Sequence, residues 1–359
     1  MTGPTILTVN GGSSSLKCGL FEVGDSPVLI REFNISGTRP DVSLSQVLDE
    51  ISRDRLIDDL RAIGHRIVHG GELFDGPVVV TDEALVELRA LSPLAPLHQS
   101  ANLDLISACS DRFPEVTQIA CFDTAFHRSM PDEARGYAIP YALTESGIRA
   151  YGFHGLSYEH VCQQLTQDDD CTDDRKVIAL HLGAGSSLCA IKDGQSIATT
   201  MGFSTADGLP MMTRSGSIDP GVLIHLMRRD GMDADALERL IYYESGLLGM
   251  AGESGDMCEL QASDNPRANE AVNYFVYRIV AEIGRLTAIL GGLDLLVFTG
   301  GIGANDESIR KSVTDRLTWL KKPPTIRVMP ADEAAVIARH TARLMCSTRL
   351  NPERGKFHE

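Results

Sequence analysis

No Cys-x-x-Cys pair occurs among the eight cysteines of this 359-residue chain, and most of them sit inside apolar runs such as Ala120-Cys121-Phe122. That disfavours zinc knuckles and disulfide scaffolds, and buried free thiols in a reducing compartment are expected. Basic residues are also scarce, 33 against 49 acidic ones. Such a surface repels phosphate backbones, so no nucleic acid partner is expected, and any lysine or arginine serving a phosphate is a local exception. Nothing resembles a signal peptide or a membrane span, which points to a cytoplasmic protein with no membrane partner. A G-x-x-x-x-G-K-[S/T] loop is missing too. What is present is enough chain for two domains with proper cores.

The stretch from Thr5 to Phe21 organises the rest. Apolar, β-branched residues run up to Asn10, Gly11 and Gly12 let the backbone turn, and Leu16 to Phe21 resumes an extended apolar pattern. This predicts a hairpin whose tip gathers backbone N–H groups, the hydroxyls of Ser13, Ser14 and Ser15, and the ammonium of Lys17. Such a tip suits a multiply charged anion, although a plain solvent-exposed turn has the same look. The pattern returns at Lys176 to Ile191, with His181, Gly183, Ala184, Gly185, Ser186 and Ser187 at its turn. A third version, Leu293 to Thr299, closes on Gly300, Gly301 and Gly303, with Asn305 to Glu307 offering a helix cap and an acidic first turn. Hairpin tips half a chain apart suggest a duplicated domain holding a nucleotide between its copies. This resembles the phosphate cradle of the actin, Hsp70 and sugar-kinase superfamily, and the expected class is α/β, with two ribonuclease H-like (actin-like ATPase) domains.

Charged residues then appear where packing alone does not call for them. His65, Arg66 and His69 crowd a short strand that ends in paired glycines, and Arg66 reads as a phosphate or carboxylate clamp or as the partner of a core carboxylate. His98 lies at an expected helix start. Asp123 ends an apolar strand, where α/β sheets deliver ligand-directed side chains, or else it caps the next helix. His154 sits between two glycines, and Arg214 lies in a long loop, 199–220, among small residues. A helix is expected from Ser43 to about Leu60 and another over Ala268–Leu290, with Arg278 and Arg285 salt-bridged on it. Asp332 is expected to cap a last helix that begins near Glu333.

Asn-x-Gly-Ser-Ser-Ser-Leu-Lys, Gly-His-Arg-x-Val-His-Gly-Gly, Leu-Ala-Pro-Leu-His, Phe-Asp-Thr-Ala-Phe-His, Tyr-Gly-Phe-His-Gly, Thr-Arg-Ser-Gly and Phe-Thr-Gly-Gly-Ile-Gly follow in this order. Together they resemble the acetate and propionate kinase family from about residue 5 to residue 345. The resemblance implies reversible, direct in-line phosphoryl transfer from ATP to a short-chain carboxylate, with magnesium (manganese as an alternative), in a homodimer. Arg66 would hold the carboxylate and the transferring group, Arg214 and His154 would stabilise that group in the transition state, Arg214 facing Arg66 across the cleft, and His98 would assist orientation. Asp123 and Glu333 would organise magnesium, directly or through water, with Asn10 beside them. ATP would meet Lys17, Ser13, Ser15, His181, Gly183, Gly185, Asp256, Met257, Gly300, Gly301, Gly303 and Asn305. Val68, Leu97 and Phe153, with Thr205, would form the acyl cup.

The expected division is 1–150 and 151–330, the helix 331–348 completing the first domain and 349–359 a polar tail. Several positions depart from the family's wording. Thr205 stands where it usually has proline, Ala184 for asparagine, Tyr158 for a second histidine, Cys258 for an arginine and Ala304 for a glutamate. These changes gather near the nucleotide, so GTP or pyrophosphate as donor stays open beside ATP, as do propionate or butyrate as acceptor. A non-catalytic actin-like nucleotide-binding protein is the other class.

Overall fold

The computed structural model describes residues 3–12, 15–24, 26–36, 40–54, 58–96, 98–167 and 174–350, with the backbone alone at 15, 36 and 347–350. Its contacts divide the chain into two compact units, Met1–Phe126 with Asp332–Glu359, and His127–Ala331.

The first unit holds a six-stranded sheet: β1 (Thr5–Gly11), β2 (Ser15–Glu22), β3 (Val28–Ser36), β4 (Leu60–Ile67), β5 (Val78–Val79) and β6 (Thr117–Phe122), in the order β3-β2-β1-β4-β6-β5. β1 and β2 form the expected antiparallel hairpin, with Asn10 opposite Lys17 and Gly11 opposite Leu16. β4 and β6 continue the sheet parallel to β1. Ile6, Leu7, Ile63 and Ile119 are wholly buried, as strands covered on both faces require. The helix Pro40–Arg53 buries Leu44, Val47, Leu48 and Ile51 at helical spacing. It ends before the expected limit because Leu60 is taken by β4, where it pairs with Thr5. The helix Glu333–Leu350 returns from the far end of the chain onto β4. A Cβ on Gly64 would stand 2.3 Å from Thr341 Oγ1 and 2.6 Å from Ile337 Cγ2, so glycine is what lets this helix lie so close.

The second unit repeats the plan with β7 (Lys176–Leu182), β8 (Ser186–Lys192), β9 (Gln195–Thr199), β10 (Leu295–Thr299) and β11 (Thr325–Val328), in the order β11-β10-β7-β8-β9. β7, β8 and β9 are antiparallel neighbours, and β10 and β11 run parallel to β7. Reading β1, β2, β3, β4 and β6 against β7, β8, β9, β10 and β11 gives the same adjacency and direction twice. The helix Pro266–Leu290 buries Phe275, Val276, Ile279, Ile283 and Leu286 against this sheet and stops at Gly291, whose φ of 67° is left-handed. Arg278 and Arg285 both reach Glu282, at 3.8 and 2.6 Å.

The units divide at Phe126/His127 rather than near Tyr151. His127 Nδ1 lies 2.8 Å from Ser196 Oγ, Ser129 Oγ donates to Ser196 O, and Phe203 N donates to the Tyr137 hydroxyl. These bonds tie residues 127–150 to β9 and the loop after it. Residues 152–155 therefore lie inside the second unit.

Candidate active site

In the first unit the site assembles at the C-terminal ends of the parallel strands, where such sheets present ligand-binding groups. Arg66 comes from the end of β4 and Asp123 follows β6. Parallel pairing of Arg66 with Cys121 and of Ile67 with Phe122 sets them side by side. Arg66 Nε donates to both Asp123 oxygens at 3.0 and 3.1 Å, and Nη2 donates to Oδ2 at 2.5 Å. Asp123 is buried, so this bidentate pair is shielded from solvent. Nη1 donates to Asn10 Oδ1 at 3.1 Å, and Asn10 Nδ2 donates to Glu333 Oε2 at 2.7 Å. Glu333 Oε2 also lies 3.9 Å from Arg66 Nε. Burial alone would lower the guanidinium's pKa, but Asp123 and Glu333 hold it above the ordinary value.

Arg66 thus meets the second of its two expectations. It is paired to a core carboxylate, and a guanidinium carries further N–H donors on its terminal nitrogens for an anion. The Asp123 carboxylate holds Arg66. Asn10 turns its oxygen to the guanidinium and its amide to Glu333, so it steadies Glu333 rather than offering oxygen outward. Among the described residues no group of three or more His, Cys, Asp or Glu side chains could hold a metal. Magnesium needs no such cage, since it keeps several waters and takes one or two carboxylates plus substrate phosphates. Glu333, mostly buried at a helix start with 13% of its side chain exposed, fits that requirement.

Other expected residues of this unit fall nearby or outside. Lys17 is exposed on β2 opposite Asn10. His98 is half-buried as the N-terminal flanking residue of the helix Gln99–Arg112, with no side-chain cap bond. Val68 is buried just past β4. Ser13 and Leu97 lie outside the described residues, as does the side chain of Ser15. Two residues carry weight that the sequence did not reveal. Gln99 accepts from His69 N and donates to His69 O, and Asn102 donates to Gly11 O, so one helix fixes both the β4 exit and the first hairpin. Buried amides in the first turn of a helix are the signal that could have found them.

In the second unit a matching cluster forms at the ends of β7 and β10. A Cβ built on Gly185 would lie 3.2 Å from His154 Nε2 and 3.9 Å from Arg214 Nη1, so a backbone segment, an imidazole and a guanidinium converge on one point. His154 has φ of 59°, unusual for a side-chain-bearing residue, and its ring stacks on His181 with centroids 4.2 Å apart. Arg214 Nη1 donates to Thr205 O at 3.1 Å, which links the loop arginine to Thr205. Gly183 faces Gly301, a Cβ on the former lying 3.7 Å from the latter's nitrogen.

The three glycines after β10 differ in cause. Gly300 has φ of 79° and a Cβ there would meet Leu182 O at 2.6 Å, so the backbone demands it. Gly303 is in ordinary contact, and Gly301 faces open space. They begin the helix Gly300–Asn305 directly, and Asn305 Nδ2 donates to Gly301 O. Asp256 caps the helix Met257–Ala262 through Cys258 N and Glu259 N, and Met257 is buried in the core. Phe153 is buried too. His127 Nε2 donates to Phe153 O at 2.9 Å, holding the backbone just before His154.

Two sheets built on one strand order, each with a glycine and serine hairpin between its first two strands, define a duplicated actin-like ATPase fold. Within that class, the chain belongs to the acetokinase family, whose model matches residues 33–347. It is 43% identical over 389 aligned residues to an acetate kinase of Rhodopseudomonas palustris (strain TIE-1), covering 94% of this chain and 98% of the relative. An acetate kinase of Rickettsia felis is 42% identical over 88% of each chain. Among solved structures, a propionate kinase from Francisella tularensis subsp. tularensis SCHU S4 superposes with a TM-score of 0.85 at 32% identity, covering 95% and 99% of the two chains. Porphyromonas gingivalis acetate kinase follows at 0.84 and 31%, covering 96% and 100%.

Proposed function

We propose that the chain transfers the terminal phosphoryl group of ATP reversibly to acetate, giving acetyl phosphate and ADP. The observation that carries this reading is the Arg66 guanidinium, held charged and oriented by Asp123 and Asn10. A carboxylate is already ionised near neutral pH, so no general base is needed to make the nucleophile. The reaction instead needs positive charge to bring two anions together in line. Arg66 binds the substrate carboxylate and the transferring group. Arg214 and His154 stabilise that group as charge spreads over its equatorial oxygens, a role supported by their convergence at Gly185.

Magnesium, where bound, neutralises charge on the polyphosphate. Glu333 would hold it, directly or through water, with Asn10 steadying Glu333 and Asp123 acting through Arg66. The ATP phosphates meet Lys17, Ser13 and Ser15 from one hairpin and Gly183 and Gly185 from the other. His181, Asp256, Met257, Gly300, Gly301, Gly303 and Asn305 serve the nucleotide, Met257 through its backbone. Val68, Leu97 and Phe153, with Thr205, limit the length of the acid, and His98 assists orientation. The chain works as a cytoplasmic homodimer. The helix Pro220–Asp230, with none of its residues buried and Val222, Ile224 and Met227 exposed, supports a partner copy there.

Propionate is the second acceptor reading, favoured by the likeness to the Francisella propionate kinase. A methylene is worth only ~1–3 kcal/mol in an apolar cup, so the two acids overlap as substrates. One assay tests the proposal: hydroxamate formation from acetate, propionate and butyrate, each with ATP, GTP and pyrophosphate. Acetate with ATP should give the highest kcat/KM. Nucleotide binding without hydroxamate from any pair would overturn the kinase reading in favour of a non-catalytic nucleotide-binding protein.

A further inference from the structure

The turn that carries His154 leads into the helix Gly155–Gln167, which brings Tyr158 back beneath the imidazole. Tyr158 is wholly buried, and its hydroxyl lies 2.5 Å from Ser187 Oγ. Ser187 Oγ in turn lies 2.8 Å from His154 Nδ1. Burial keeps the phenol's own proton on by raising its pKa well above the ordinary value. The phenol is the more acidic of the two hydroxyls, so its hydrogen points to Ser187 Oγ and leaves the serine's hydrogen for His154 Nδ1. A neutral imidazole that accepts at Nδ1 carries its proton on Nε2. Nε2 is the ring nitrogen that stands over Gly185, on the side where Arg214 Nη1 also reaches.

The backbone of this residue is fixed independently. His127 holds Phe153 O, and the φ of 59° at His154 admits little alternative. Stacking on His181 restrains the plane of the ring. What these contacts leave undetermined is which nitrogen bears the proton.

We propose that Tyr158 and Ser187 are positioning residues that lock His154 in its Nε2–H tautomer, presenting a hydrogen-bond donor at Gly185. The tautomer stands on the hydrogen bonds alone; its consequence for rate rests on the phosphoryl-transfer reading above. The family resemblance puts a second histidine at the Tyr158 position, a group that can exchange donor and acceptor roles. A phenol has no second tautomer, and as the better hydrogen donor of the pair it sets one direction for the relay.

The experiment is two-bond 1H–15N spectroscopy on the full chain carrying 15N-labelled histidine, with the His154 signals assigned by their loss in His154→Gln. The parent should show His154 as Nε2–H alone, and Tyr158→Phe and Ser187→Ala should each show a mixture of tautomers. In both variants kcat for acetyl phosphate formation should fall about tenfold, the worth of one neutral hydrogen bond. KM for acetate and for ATP should stay within about twofold, because ground-state binding is not altered. A melting curve near the parent's separates this from loss of fold, and either variant alone suffices if the other does not fold. Parent protein with the proton on Nδ1, or variants that keep the Nε2–H form, would overturn the relay, whatever happens to kcat. Mixed tautomers with parental kcat would uphold the relay and overturn instead the assignment of His154 to the transferring group.

Discussion

Asn10 Nδ2 donates to Glu333 Oε2 at 2.7 Å although 323 residues separate the two in sequence. The other end of the same amide accepts from Arg66 Nη1. An amide set between a guanidinium and a carboxylate can face only one way, oxygen to the cation and nitrogen to the anion. This one side chain therefore couples the first strand, Arg66 at the end of β4 and the last helix of the chain.

Replacing Asn10 by Ala should free Glu333 from its donor without adding charge. Groups that orient a metal ligand are typically worth about 10–100-fold in metal affinity. The expected result is a rise of that order in the magnesium concentration needed for half-maximal activity, with a smaller rise in KM for acetate because Arg66 loses the same partner. A magnesium titration at saturating acetate and ATP measures it, and an unchanged half-saturation point would remove Glu333 from the metal.

The two adjacent glycines after β10 should separate folding from nucleotide binding. Gly300→Ala forces a side chain into a left-handed backbone against Leu182 O and should cost about 1–3 kcal/mol of stability. Gly301→Ala meets open space in the protein and should leave the melting temperature near the parent's. Any ligand lying against that backbone would still feel the added methyl, so KM for ATP should rise while KM for acetate holds. Thermal unfolding and steady-state kinetics on both variants give the comparison.

Much of this was legible in the chain, for physical reasons that differ by residue. The two hairpins were visible because small residues between apolar strands allow a tight turn, and both strand pairs are antiparallel neighbours in their sheets. Arg66 and Asp123 were visible singly because charge in an apolar strand needs a reason. Their pairing was not, since it depends on the parallel register of β4 on β6, which no local pattern encodes. Ser187 was hidden for the same reason. Its hydroxyl looks like one of many in a turn until the hairpin register sets it opposite His181 and the following helix brings Tyr158 to it. The division at Phe126/His127 was missed because it is set by buried hydrogen bonds of His127 and Ser129 to β9, and the segment's own composition gives no sign of them.

Acid should destabilise the protein through buried neutral histidines. Burial lowers His65, His69 and His127 from 6.5 to about 4, against weaker raising contributions from Gln118, Glu72 and Phe153 O respectively. Their unfolded forms bind protons first, so this stability is complete above about pH 6.5 and is lost as pH falls towards 4. Each group contributes up to about 1.4 kcal/mol per pH unit in that window. Denaturant midpoints between pH 7 and 4.5 should show the slope, and His65→Gln should reduce it by about a third.

Assembly is tested on the helix Pro220–Asp230. Val222, Ile224 and Met227 are 42, 48 and 48% exposed, a run of large apolar side chains with no cover in its own unit. Ile224→Asp with Met227→Asp should leave far-UV circular dichroism unchanged, since neither side chain supports the core. Sedimentation velocity should report a dimer for the parent and a monomer for the double variant. A double variant that still sediments as a dimer would place the interface on another face.

Arg214 offers the sharpest test of the transfer step. Its Nη1 donates to Thr205 O and stands beside the point where Gly185 and His154 Nε2 converge, so its charge is fixed in place before any ligand arrives. Preorganised donors of this kind act on charge that develops in the transition state, and removing one costs about 10²–10³ in rate, or roughly 2.7–4 kcal/mol. Arg214→Ala should therefore lower kcat by that factor while the KM values for acetate and ATP change by much less. Arg214→Lys should recover only part of the rate, because an ammonium cannot reproduce the planar fork. Loss confined to KM would mean that Arg214 binds the ground state, and the transition-state role would pass to Arg66 and His154.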